Sequence, residues 1–228
     1  MTSTAEADLS PSRREKIYQA ARSLFFQYGY RGTSMAMIAE KAGYSKKAIY
    51  LDYRNKDDLF LHLVAEGTAI LLEQLLQIPH AELAVDEAIA AFFRVYHDFA
   101  DQYEEYFKMA FAEATPAVAA NTPIALQQRL VDLSRACLDE AVKVARRAIE
   151  AGIVMPMDPH EAAGVFLAAA TGNIMLAKGA GRILFTSETL DQISEKSIRI
   201  ILRGILTRPD EAANLLSSSS STAVSRRR

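Results

Sequence analysis

The chain has 228 residues, half of them hydrophobic and 24% charged, with a formal charge of −2. That balance excludes a fibrous or wholly disordered protein and supplies enough apolar side chain for a buried core. A single cysteine, Cys137, excludes an intramolecular disulfide framework and a multi-cysteine zinc site, and points to a reducing cytoplasm.

Residues 1–11 are small, polar and partly acidic; they read as a disordered arm and lack the apolar run of a signal peptide. Ser12-Arg13-Arg14-Glu15 forms a capping box, in which Ser12 accepts the Glu15 N–H. Ile17, Ala20, Ala21, Leu24 and Phe25 recur at helical spacing until Gly29 stops the helix. Ser34 caps a second, short helix through Lys41 that buries Ile38, Ala39 and Ala42, and Gly43 breaks it. Ser45 caps a third with Ala48, Ile49 and Tyr50. Asn55 caps a fourth, whose first turn holds Asp57 and Asp58 where the macrodipole favours carboxylates, and whose leucines run on towards Pro79.

Helical patterns follow over 82–101, 102–114, 124–151, 160–178 and 188–207, with Thr115-Pro116 and Asn121-Thr122-Pro123 as punctuation. Residues 211–228 are Ser- and Arg-rich and read as a disordered tail. Alternating β-type runs are absent, and no apolar stretch approaches the ~18 residues of a membrane span. The expected class is all-α with about nine helices. Residues 12–58 make an N-terminal three-helix helix-turn-helix domain, and 59–210 a helical ligand-binding and dimerisation domain.

The small net charge hides an asymmetry. Residues 1–56 hold 10 Lys/Arg against 5 Asp/Glu, and the remainder 16 against 23. A basic head on an acidic body suggests a head that meets an anion. Within the head, Ala39, Gly43 and Ile49 have the arrangement a helix-turn-helix needs: a small residue for close approach, a glycine for the turn, and an aliphatic plug. The second helix of the pair then turns outward Ser45, Lys46, Lys47, Tyr50 and Leu51. Lysines at a helix N-terminus oppose the macrodipole, but suit an end that enters a groove edged with phosphates. The alternative is an all-helical ligand carrier whose basic head binds an acidic protein.

These residues resemble the DNA-binding region of TetR-family transcriptional regulators. The likeness covers residues 12–63, about a quarter of the chain. It lies in Phe25-Phe26-Gln27-Tyr28-Gly29, in Gly32-Thr33-Ser34, in Ile38 to Gly43, in Ser45 to Tyr50, in Tyr53 and in Lys56. The resemblance implies that Tyr50 and Lys56 hold phosphates, that Ser34 or its neighbours anchor the second helix to the backbone, and that Lys46 and Lys47 reach bases or phosphates. Arg13 and Arg14 would follow the backbone or a minor groove. One departure is Asp52, where the family often has His. A carboxylate is unfavourable beside phosphate, so Asp52 either points away, towards Arg54, or tunes affinity.

One such domain makes too few base contacts to find a genomic site, whereas two on a twofold axis suffice. Dimerisation is therefore expected, through helices 160–178 and 188–207. Ala162, Ala163, Ala168, Ala169, Ala170 and Gly172 permit close approach there, and 193–206 is apolar over more than one face. The aromatics gather between. Phe92, Tyr96, Tyr103, Phe107 and Phe111, with Cys137 and Phe166, suggest a pocket for a small apolar or aromatic effector. The resemblance implies that this ligand releases DNA and that repression is the usual outcome. His62, His80, His97 and His160 are dispersed, and no nucleophile or phosphate-loop motif is present. Neither an enzyme, a metal nor a cofactor is expected, and no membrane partner.

Overall fold

The structure is a computed structural model that describes residues 12–179 and 181–205. The arm over 1–11 and the tail over 211–228 lie outside the described residues. Among those described the fold is all-α, with eleven α-helices, one π-helical segment and no strand. The helices are α1 (Arg13–Gly32), α2 (Met35–Ala42), α3 (Lys46–Asp52), α4 (Lys56–Leu76), α5 (Val85–Gln102) and α6 (Glu104–Lys108). After the π segment (Met109–Glu113) come α7 (Pro116–Ala120), α8 (Ile124–Glu150), α9 (Pro159–Lys178), α10 (Gly181–Leu184) and α11 (Ser187–Ile205).

The count exceeds the nine expected from the pattern. Residues 102–114 divide into α6 and the π segment. Thr115 accepts the Val118 N–H at 3.4 Å, so Pro116 opens α7 instead of only punctuating. α10 is a single added turn.

The chain divides into two compact units. One comprises residues up to Glu66 together with Met109–Leu130; the other comprises Gly67–Lys108 and the chain from Val131 onward. In the first, Ile17, Ala21, Phe25, Ile38, Ile49, Leu59 and Phe60 are the core, each essentially without solvent contact. The Phe60 ring meets Phe25 and Tyr30 edge-on at 5.4 and 4.9 Å. The four N-cap bonds read from the sequence are made, although the Glu15 side chain of the expected capping box accepts from Gln19. Ser12 accepts from Glu15, Ser34 from Met37, Ser45 from Ala48 and Asn55 from Asp58, at 2.8–3.3 Å.

Gly29 has φ 68° and ψ 177°, so the regular helix of α1 stops there and a last turn follows to Gly32. The freed Tyr30 N–H donates to the Glu113 carboxylate at 3.1 Å. Asn121 adds a bond to Asp57 at 3.1 Å, and its carbonyl accepts from Asn55 at 2.9 Å. Residues 109–130 are thus tied to the helix-turn-helix by polar bonds that no local pattern announces.

In the second unit, Phe92, Tyr96, Phe99, Phe107, Ala145, Ala148, Ala162 and Ala163 are buried. Arg147 donates to the His80 and Leu83 carbonyls, fastening the segment before α5 to α8. α4 is long and apolar enough to cross a membrane by length and composition. Leu59, Phe60, Leu61, Leu63, Val64 and Ala65 on it are buried in protein, which accounts for that apolarity.

Candidate functional site

The helix-turn-helix is built from α2 and α3. α2 ends on Gly43 at φ 74° and ψ 28°, a left-handed conformation that glycine adopts without steric cost. The Gly43 and Tyr44 N–H groups return to the Glu40 and Ala39 carbonyls at 3.2 and 3.0 Å. The chain re-enters a helix at Ser45. α3 then buries Ile49 completely and leaves Lys46, Lys47, Tyr50 and Leu51 exposed, Tyr50 by 51% and Leu51 by 71%. Among the described residues neither lysine is paired with a carboxylate.

Several expected contact residues have protein partners, among them Ser45, whose hydroxyl caps α3 by accepting the Ala48 N–H at 3.2 Å. The Ser34 hydroxyl is engaged as the α2 cap. Arg13 donates from Nε and Nη2 to the two oxygens of Asp52, at 2.7 and 3.0 Å. Asp52 therefore turns to Arg13 and not to Arg54. The bond to the guanidinium holds the Asp52 carboxyl below its ordinary range, and the Arg13 guanidinium is raised in return. Lys56 sends its ammonium back into the protein. It donates to the Tyr30 and Thr33 carbonyls at 2.9 and 3.0 Å and lies 4.0 Å above the Tyr30 ring. It thereby satisfies carbonyls at the end of α1. The Arg14 guanidinium sits 5.0 Å over Tyr53, which is 3% exposed and ends α3.

The second unit contains a narrow apolar cavity of about 20 Å³ between α5, α8 and α9. Ile89, Phe92, Phe93, Phe166 and Leu167 line it with Ala141, Val144, Ala145, Ala148 and Ala163. Of the expected pocket residues, Phe92 and Phe166 border this cavity. Tyr96, Tyr103, Phe107 and Cys137 belong to the same unit but are not in that lining. Tyr96 bonds Thr171 at 2.7 Å, and its burial raises the phenol to about 12. Tyr103 stacks on Phe99 at 5.6 Å, and Phe107 lies against Tyr96 at 6.1 Å. Cys137 donates weakly to the Thr68 carbonyl at 3.8 Å, and burial lifts its thiol to about 11, so it is an inert thiol at neutral pH. Phe111 is 46% exposed and belongs to the other unit, on the π segment. The structure does not bring it to the cavity. The alanines at 141, 145 and 148 were the missed signal: small residues at helical spacing open the space that large rings border.

Comparison with known proteins agrees with the helix-turn-helix. Residues 17–63 match the family model of bacterial regulatory proteins, tetR family. The HTH-type transcriptional repressor AcnR of Corynebacterium jeikeium is 36% identical over 89 residues, which are 39% of this chain and 42% of that protein. The match thus spans under half the length of that relative. Two solved structures share the fold. A tetR-family regulatory protein of Rhodococcus RHA1 superposes with a TM-score of 0.63 at 16% identity, over 83% of this chain and 97% of that one. The regulator FadR of Bacillus subtilis, solved in complex with stearoyl-CoA, gives 0.61 at 17% identity, over 83% and 98%.

Proposed function

We propose that this chain, whose residues 17–63 match the family model of bacterial regulatory proteins, tetR family, is a cytoplasmic transcriptional repressor of that family. It binds a palindromic double-stranded operator as a homodimer and leaves it when a mostly apolar small molecule occupies the second unit. The observation that carries this reading is α3, anchored by buried Ile49 and presenting Lys46 and Lys47, which no carboxylate among the described residues pairs, beside exposed Tyr50. Such a helix fits the major groove, with cations for the phosphates on either side.

Dimerisation is supported by the outward surfaces of the last helices. Gly164, Val165, Ala168 and Gly172 recur along an exposed face of α9, and Ile183, Leu184 and Ile200 are exposed by 70–87% on α10 and α11. An apolar surface of this kind is covered well by a second copy, whose small residues allow close helix packing. The apolar lining between α5, α8 and α9 favours an acyl or aromatic effector over a multiply charged one, and the space of about 20 Å³ must widen to admit it. Release follows if the effector prefers a form with wrongly spaced recognition helices. A coupling of ~1–3 kcal/mol lowers operator affinity 5–150-fold.

The test is footprinting of the full chain on the DNA flanking its gene, with and without acyl and aromatic ligands. Protection of two symmetric half-sites about 34–36 Å apart or a multiple of that, lost on ligand addition, is the expected result. Absence of sequence-specific protection at low salt overturns it.

A further inference from the structure

We infer that Leu51 reads a thymine methyl group in the operator and that Lys47 reads the base beside it. This rests on the reading that α3 enters DNA. At 100° per residue, Lys47 and Leu51 lie roughly 160° and 200° around α3 from Ile49. Ile49 is the buried anchor, with no solvent contact. Lys47 and Leu51 are therefore the pair pointing most directly away from the protein, one turn apart on the same ridge. Lys46 and Tyr50 lie roughly 60° and 100° round and flank that ridge on one side. Asp52, on the other, is held by Arg13.

In a helix laid in the major groove, the side chains opposite the anchor face the groove floor, and those on the flanks face the phosphate walls. Leu51 is 71% exposed and apolar, and packing within the unit does not require it there. The apolar feature that the major-groove floor offers is the thymine C5-methyl group. An ammonium one turn away meets guanine O6 and N7, the acceptors that Lys commonly contacts. The half-site should then contain a thymine next to a guanine, with Lys46 and Tyr50 adding affinity but no sequence preference.

Binding-site selection from random duplexes with the full chain gives the half-site. Fluorescence anisotropy then compares that duplex with versions carrying deoxyuridine for thymine, one position at a time, which deletes only the methyl group. For the wild-type chain, one thymine per half-site should be sensitive. Its replacement should weaken binding about fourfold in one half-site and about fifteenfold in both, the worth of one buried methyl group at each. The Leu51→Ala chain should bind thymine and uracil duplexes equally, with an unchanged salt slope. A selected site at which no uracil matters, or a Leu51→Ala chain that keeps the full penalty, overturns the inference while leaving DNA binding intact. Failure to select any sequence overturns the DNA-binding reading as well. Circular-dichroism melting checks that Leu51→Ala is folded.

Discussion

The Asp52 carboxylate accepts two bonds from the Arg13 guanidinium, at 2.7 and 3.0 Å, across 39 residues of sequence. The pair joins the first turn of α1 to the last of α3 and neutralises a cation beside the proposed DNA-facing helix. Asp52→Asn should therefore tighten operator binding, by roughly fivefold per protomer at ~0.1 M salt, because a like charge leaves and Arg13 becomes available to a phosphate. The log–log salt slope should steepen by about 0.9 for each phosphate gained. Arg13 lowers the Asp52 pKa in the folded state. The pair is consequently intact above the ordinary carboxylate range and lost only as pH falls through the lowered value. Wild-type affinity should show no Asp52-linked change between about pH 6 and 8, which anisotropy titrations across that range will check.

Lys56 separates a structural role from a phosphate-binding one. Its ammonium bonds two backbone carbonyls and faces the Tyr30 ring. Lys56→Met removes those bonds and should cost about 1–3 kcal/mol of stability. For a chain of this size that lowers the melting temperature by several degrees. Its effect on DNA should be indirect, with the salt slope preserved. A slope shallower by about one, with an unchanged melting temperature, would show that Lys56 binds phosphate after all.

Legibility in the sequence followed the range of each interaction. Helix caps at Ser12, Ser34, Ser45 and Asn55 were readable because a cap joins a side chain to a backbone group two or three residues away. Ile17, Leu24, Phe25, Ile38 and Ile49 were readable as core from spacing. Arg13–Asp52, Tyr30–Glu113 and Asn55–Asn121 join residues 39 to 83 apart, and no periodicity encodes them. For the same reason the sequence pattern places Phe111 with the aromatic pocket. Its neighbours in sequence are aromatic, but the π segment carries it into the other unit.

Gly29 should tolerate no side chain. Its φ of 68° with ψ of 177° is a region that residues with a Cβ rarely enter, at a cost of about 1–3 kcal/mol. A Cβ there would also stand 2.8 Å from the Glu113 Oε1. Gly29→Ala should lower the melting temperature by roughly 3–10 °C. Adding Glu113→Ala removes the close contact but not the backbone strain, and it also strands the Tyr30 N–H. The double variant should therefore be no more stable than Gly29→Ala alone. Full recovery in thermal melts would show that the carboxylate contact, and not the backbone, sets the cost.

Ala145 separates effector response from DNA binding. It is 3% exposed and lines the apolar cavity, whose volume of about 20 Å³ is less than the three added carbons of leucine require. Ala145→Leu should therefore fill the space and overpack it slightly, costing about 1–3 kcal/mol of stability. If an apolar effector enters between α5, α8 and α9, the variant should hold its operator as tightly as the wild type while losing most of its release by that effector. Calorimetry should show the ligand's heat of binding disappear in parallel. Val144→Ala acts in the opposite sense, since it enlarges the same cavity at a stability cost of about 1–3 kcal/mol. It should admit bulkier ligands that the wild type excludes. Unaltered effector response in both variants would place the ligand elsewhere in the second unit, whatever the operator measurements show.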